Sequence, residues 1–88
     1  MTQQPTNQPV DTIREGNLKA TIWLNGSKDG EKAPFYSVQI TRTWRDDKGD
    51  FHDSDSFSGT ELLRVARLAH IAYDEIAIYR AADKEGSR

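Results

Sequence analysis

The chain has 88 residues, a formal net charge of −2 at pH 7 and no cysteine, so it is expected to hold one domain and no disulfide scaffold. With 35% hydrophobic and 30% charged residues, it has the composition of a globular protein with a small core. The negative net charge argues against bulk attraction to nucleic acid or to an anionic membrane. Without cysteine, a secretory signal or an apolar run long enough to span a bilayer, the chain is expected to be cytoplasmic.

Both ends of the chain are predicted to be disordered tails. Residues 1–11 are polar and hold two of the three prolines, so they have little to bury. Residues 83–88 also have no apolar side chain and are predicted to be disordered for the same reason. The single folded domain is therefore expected at residues 12–82.

Three segments show the pattern of β-strands. The first is predicted from Ile13 to Asn25, where apolar and polar residues alternate. Gly16-Asn17 within this run indicates a bulge or a tight bend. The second strand is predicted at residues 35–44 and the third at residues 50–57, with a short acidic turn between them.

A long helix is predicted to follow the strands. Ser58 and Glu61 have the spacing of a capping box, and no proline or glycine interrupts the chain before about Ala82. The predicted fold is α+β, with a curved antiparallel sheet of three to four strands and one long C-terminal helix packed on it, in the order β-β-β-α.

The predicted helix carries apolar residues on two sides. Helical spacing assigns one group to the face that packs on the sheet, namely Leu62, Val65, Ala66, Ala69, Ala72, Tyr73 and Ile76. Leu63, Ile71 and Ile78 lie well off that face, and a single sheet cannot cover both groups. Because so small a domain gains from a partner subunit, we expect these three residues to form a homodimer interface. The alternative is that loops and the N-terminal tail cover them.

Strand alternation also divides the sheet into two faces. The solvent-facing side is predicted to show Lys19, Trp23, Thr41, Thr43, Arg45 and His52. Arg42, Asp53 and Asp55 are assigned to the inward side, where a cross-strand ion pair near the sheet edge is expected. The alternative role for Arg42 is to contact phosphate.

Two families resemble this chain. The segment Ile40–Asp50 and the β-β-β-α order are similar to the eukaryotic transcriptional positive cofactor four family, which implies binding of single-stranded DNA as a homodimer. Nearly all of residues 13–80 also resembles a family of small bacterial and archaeal proteins, through Gly16–Trp23, Phe35–Val38 and the stretch from Trp44 to Phe57. That second resemblance implies a bacterial protein and no established activity.

Single-stranded DNA or RNA is therefore the expected partner, bound by the open sheet face, with a possible accessory role in transcription or replication. Trp23 is predicted to stack on bases, while Lys19, Arg45 and Lys48 contact phosphates. Positive and negative charges are concentrated in different parts of the chain. Residues 12–45 hold six basic and three acidic side chains, whereas residues 46–58 hold one basic and five acidic side chains. The alternative is a homodimeric interaction or structural module, whose polar sheet face is ordinary solvent-exposed surface.

No catalytic residue, cofactor, metal site or small-molecule substrate is predicted, so the protein is not expected to be an enzyme. The two histidines have no recognised metal-binding spacing. His70 and Asp74 lie four residues apart on the helix, where a solvated ion pair is expected and a shared metal is the alternative.

Overall fold

The computed structural model describes residues 8–26 and 34–86, without the side chains of residues 84–86. Four antiparallel strands form one open sheet in the order β1-β2-β3-β4, and one long helix follows it, which confirms the predicted α+β fold. The elements are β1 (Gln8–Glu15), β2 (Leu18–Asn25), β3 (Phe35–Arg45), β4 (Phe51–Ser54), a 3₁₀ turn (Gly59–Glu61) and α1 (Leu62–Gly86).

The first predicted strand is in fact a hairpin. Gly16 and Asn17 reverse the chain between β1 and β2, with Glu15 opposite Leu18. Gly16 has a φ of +59°, which is the left-handed conformation that a two-residue turn requires at its first position. Gly16-Asn17, predicted as a bulge or a tight bend within one strand, is therefore a reversal of chain direction between two strands, and a bulge lies between Pro9 and Asp11.

Both predicted domain boundaries change. Residues 8–11 belong to β1, because the hairpin brings them beside β2, so the N-terminal tail cannot extend to residue 11. The helix continues to Gly86, so residues 83–86 are helical rather than part of a tail. Residues 1–7 and 87–88 lie outside the described residues, as does the connection at 27–33.

A second hairpin joins β3 to β4. The Asp46 N–H donates to the Asp50 carbonyl oxygen at 2.9 Å, and the Gly49 N–H donates to the Asp46 carbonyl oxygen at 3.0 Å. Gly49 has a φ of +91°, as expected for a bulged turn. β4 ends at Ser54 and is therefore shorter than the strand predicted at residues 50–57.

The core lies between β2 and the helix. Leu18, Ala20 and Ile22 point to the helix side of the sheet, and Leu68 and Ala72 of α1 are buried against that side. Partly buried apolar side chains surround this centre: Ile13, Ile40, Phe57 and Val65. Since α1 covers only this face of the sheet, the opposite face remains open among the described residues.

The helix is rotated relative to the expected orientation. Leu62 and Tyr73, predicted to face the sheet, are 55% and 76% exposed, whereas Leu68 is fully buried. Two ion pairs flank the packed face, from Arg67 Nε to Glu15 Oε1 at 3.3 Å and from Arg42 Nε to Glu61 Oε1 at 3.5 Å. The sheet-facing line therefore runs through Leu68 and Ala72 rather than through Leu62 and Tyr73.

Different contacts stabilise the two ends of the helix. The predicted capping box is present, and the Ser58 N–H donates to Glu61 Oε1 at 2.8 Å. This hydrogen bond, helped by the nearby Arg42, lowers the pKa of the Glu61 carboxyl. At the other end, the Tyr79 ring stacks on Tyr36 with 5.6 Å between the ring centroids. Across residues 8–26 and 34–86, no helix is apolar and long enough to cross a bilayer.

Candidate nucleic-acid interface

The open face of the sheet is mainly polar, with cations and aromatic rings towards its ends. Its side chains follow from the cross-strand register, in which Lys19 lies opposite Thr41, Trp23 opposite Ser37, Thr43 opposite Asp53 and Arg45 opposite Phe51. Arg14 of β1 lies opposite Lys19 and so shares this face. The charged side chains here are Arg14, Lys19 and Arg45 against Asp53, with Asp55 at the margin beside β4.

Asp53 joins three strands on this face. Its Oδ2 lies 3.3 Å from Lys19 Nζ on β2, and its Oδ1 accepts a hydrogen bond from Thr43 Oγ1 on β3 at 2.9 Å. The Thr43 hydroxyl and the Lys19 ammonium together lower the pKa of Asp53. Lys19, predicted to contact phosphate, is therefore already paired with a carboxylate.

The position of Asp53 corrects the predicted faces of β4. Asp53 and Phe51 lie on the open face, and His52 lies opposite Trp44 on the helix side, because the bulged turn at Gly49 sets the register of this short strand. Arg42 does lie on the helix side, but it pairs with Glu61 rather than with Asp53. Within the part of the chain that the structure describes, Arg42 therefore makes no ion pair with Asp53 or Asp55.

A basic and aromatic depression lies at one end of the open face. Arg14, Lys19, Thr43 and Phe51 line a shallow space of about 290 Å³ beside the β1–β2 turn. The Arg45 guanidinium carbon lies 5.2 Å from the centroid of the exposed Phe51 ring, within the range of a cation–π contact. This end thus presents Arg14 and Lys19 in the same depression as an exposed ring that Arg45 contacts.

Trp23 lies towards the other end of the same face. It is half-buried and lines shallow depressions together with Thr21, Asn25, Ser37 and Gln39. Ser37, its partner on β3, is eight residues from Arg45, the partner of Phe51. At about 3.3 Å per residue this places Trp23 and Phe51 about 26 Å apart along the sheet.

Lys48 does not lie on the open face with the other predicted residues. It is exposed in the β3–β4 turn, where its N–H donates to Asp46 Oδ1 at 2.9 Å. Asp46 also accepts from the Asp50 N–H and pairs with His52 Nε2 at 2.7 Å. The hydrogen bond from His52 and those from the backbone lower the pKa of Asp46, so Lys48 sits beside an ionised carboxylate.

A further aromatic pair was missed by sequence reasoning. The Trp44 ring stacks on His52 with 4.6 Å between centroids, on the helix side of the β3–β4 hairpin. The hairpin therefore carries a ring on each face, Trp44 on one and Phe51 on the other. Arg14 was also missed, although the alternation that assigned Lys19 would have assigned Arg14 once Gly16-Asn17 was recognised as a turn.

The three residues predicted to form a dimer interface do not share one stripe. Leu63 is 84% and Ile78 is 68% exposed. Ile71 and Ile78 are seven residues apart and nearly aligned, whereas Leu63 lies about 80° around the helix from Ile71. His70 and Asp74, with 3.3 Å between Nε2 and Oδ2, are both exposed, as expected of a solvated pair. Within the described parts of the chain, no three His, Cys, Asp or Glu side chains are grouped to hold a metal ion.

Comparisons with protein-family models, with curated proteins and with solved structures found no match to this chain. The resemblance to the transcriptional positive cofactor four family and to small bacterial and archaeal proteins therefore stays a prediction.

Proposed function

We propose that this protein binds single-stranded nucleic acid on the open face of its sheet, weakly and with little sequence preference. The observation that carries the proposal is the depression lined by Arg14, Lys19 and the exposed Phe51 ring, with the Arg45 guanidinium over that ring. Proteins that bind single strands without reading sequence combine cations along the backbone with rings on which bases stack. Trp23, about 26 Å away on the same face, supplies a second stacking ring.

The charge balance of this face supports weak binding. The face carries three cationic side chains and one carboxylate, Asp53, which lies 3.3 Å from the Lys19 ammonium. A second carboxylate, Asp55, lies at the margin of the face. Each phosphate neutralised on a single strand contributes about −0.7 to the slope of log affinity against log salt. Three cations therefore give a slope of about −2, and a value nearer −1.4 is expected if Lys19 stays with Asp53.

The test uses a variant with one tryptophan. The chain has two tryptophans, and Trp44→Phe leaves Trp23 as the only one. Titration of this variant with an oligothymidylate at low salt is expected to quench Trp23 fluorescence, and the quenching is expected to weaken as salt rises. Absence of quenching at low salt, or quenching that salt does not change, contradicts the proposal.

Two substitutions distinguish the effect of phosphate contacts on binding from the effect of net charge on binding. Arg45→Gln is expected to weaken binding and to make the salt slope shallower by about 0.7. Arg80→Gln removes the same charge from the helix, away from the open face, and is expected to change binding much less. Equal effects of the two substitutions would show that net charge, not this face, determines the response.

The second candidate function is a homodimeric interaction module. Leu62 and Tyr73 are exposed apolar residues on the helix, and a domain this small gains stability from a partner subunit. This candidate predicts self-association without any response to an oligonucleotide. The fluorescence titration distinguishes the two, because self-association measured by light scattering is compatible with both and only nucleic-acid binding predicts a response to the oligonucleotide.

A further inference from the structure

One edge of β3 is paired with no strand of the described residues over most of its length. β4 pairs with β3 only from Arg42 to Arg45. Residues 35–41 pair with β2 on one side, and no strand of the described part of the chain lies on the other. β3 therefore begins as an edge strand and becomes an inner strand only at Arg42.

The hydrogen bonds of neighbouring residues show which backbone groups this edge presents. The Thr43 N–H donates to the Asn17 carbonyl oxygen, on the β2 side, whereas the Asp46 N–H donates to the Asp50 carbonyl oxygen, on the β4 side. The direction alternates along an antiparallel strand. Tyr36, Val38 and Ile40 consequently direct both their N–H and their C=O groups outwards from the edge.

The free edges of the sheet differ in how they are protected. The β1 edge carries Pro9, a bulge after Pro9 and the charged residues Asp11, Arg14 and Glu15. The β4 edge is only four residues long and carries Asp53. Proline, bulges, charges and short length all hinder pairing with another strand. The β3 segment, Phe-Tyr-Ser-Val-Gln-Ile-Thr at residues 35–41, has no charge, proline or glycine, so it is the edge segment of the described chain best suited to pairing.

We propose that this edge pairs antiparallel with the same edge of a second copy of the chain, about a two-fold axis at Val38. The axis places Val38 opposite Val38 and Tyr36 opposite Ile40. Each of these facing pairs can exchange two backbone hydrogen bonds. An uncharged segment meets its own copy without like-charge repulsion, as an isologous contact requires.

The exposed side of the helix fits the same partner. Ile76 and Arg80 line a depression with Tyr36 of β3, whereas Arg67 pairs with Glu15 of β1, so the helix has a β3 side and a β1 side. Leu62 and Tyr73 precede Ile76 in the chain, and the helical repeat of about 100° per residue places them on the same, β3 side of the helix. Pairing at Val38, itself 37% exposed, brings the corresponding sides of two helices towards each other over one sheet.

This interface differs from the one expected from sequence. Ile71 and Ile78 lie on the β1 side of the helix, and Leu63 points further away from the sheet. Edge pairing also makes one sheet of eight strands, four from each copy, with both open faces on the same side. The inference is independent of nucleic-acid binding, because it uses the opposite face and the edge.

Matched lysine substitutions test the interface. The wild-type chain is expected to be a dimer by light scattering, Val38→Lys a monomer, and the double variant Leu63→Lys, Ile78→Lys still a dimer, with circular dichroism showing that all three are folded. A wild-type monomer at high micromolar concentration overturns the proposal. A dimer that survives Val38→Lys, or that the helix variant disrupts, also overturns it.

A covalent test does not depend on how well the lysine variant folds. The chain has no cysteine, and facing residues of a hydrogen-bonded antiparallel pair have Cα atoms about 5.5 Å apart, within the range that a disulfide spans. Val38→Cys is expected to form a disulfide-linked dimer on mild oxidation, and Ile78→Cys is not. Failure of Val38→Cys to cross-link, or equal cross-linking of both variants, overturns the proposal. Salt-sensitive quenching by a monomeric Val38→Lys would leave the nucleic-acid proposal standing.

Discussion

Asp53→Asn is the substitution that most directly tests how the open face holds its cations. Asp53 Oδ2 lies 3.3 Å from Lys19 Nζ, and its side chain is 48% exposed. Solvent therefore screens the pair, and exposed pairs of this kind change equilibria only modestly. Freeing Lys19 is expected to raise the affinity for an oligothymidylate roughly two- to fivefold at low salt. One additional phosphate contact steepens the salt slope by about 0.7.

The assay is a fluorescence titration of Trp23 in the Trp44→Phe background, at several salt concentrations. Asp47→Asn is the matched control, because it makes the same change of charge in the β3–β4 turn. The control is expected to raise affinity less than Asp53→Asn. An unchanged or lower affinity in Asp53→Asn, or an equal rise in both variants, would refute the idea that Asp53 restrains a phosphate-binding lysine.

Three further predictions concern stability and titration. Leu68→Ala removes a fully buried core side chain and is expected to cost about 2–5 kcal/mol in denaturant unfolding; a loss below about 1 kcal/mol would argue against this core. Gly16→Ala places a Cβ at a positive φ, 3.0 Å from the Arg64 side chain, and is expected to lower the free energy of unfolding by about 1–2 kcal/mol. The control Gly59→Ala places a Cβ in open space and should change the free energy of unfolding far less. The Glu75 carboxylate accepts from the Tyr79 hydroxyl and raises its pKa to about 12, so this contribution to stability is present below pH 10 and is lost as pH rises towards 12. In an absorbance titration Glu75→Gln should lower the Tyr79 midpoint, and an unchanged midpoint would exclude Glu75 as the cause.

Local signals predicted much of the fold correctly. The capping box formed by Ser58 and Glu61 marks the start of the helical segment, since its hydrogen bonds lie within four residues. Gly49 marks the turn between β3 and β4 because a left-handed φ favours glycine, whatever surrounds it, whereas Gly16 was predicted only as a bulge or a tight bend. The alternation that placed Lys19 and Trp23 on the open face depends only on the two-residue period of a strand.

The faces of β4 and the rotation of α1 could not be obtained in this way. A shift of one residue exchanges the two faces of a strand, and β4 has only four residues, too few for its own pattern to choose. The register came from the bulged turn at Gly49, which placed Phe51 and Asp53 on the open face and His52 against Trp44. A prediction that assigns Phe51 to the buried face because it is apolar places Asp53 and His52 on the wrong faces of β4.

The helix raises the same problem over a longer distance. Apolar residues and alanines surround much of α1, so its sequence permits more than one rotation on the sheet. Contacts between distant residues select one, through Arg67 with Glu15 and Arg42 with Glu61. The strand alternation, the β3–β4 turn and the start of the helix were predicted from the sequence, because short-range interactions specify them. Which residues of β4 share the open face and which edge of β3 is left unpaired depend on register between strands that a turn sets, so these features emerged from the folded structure alone.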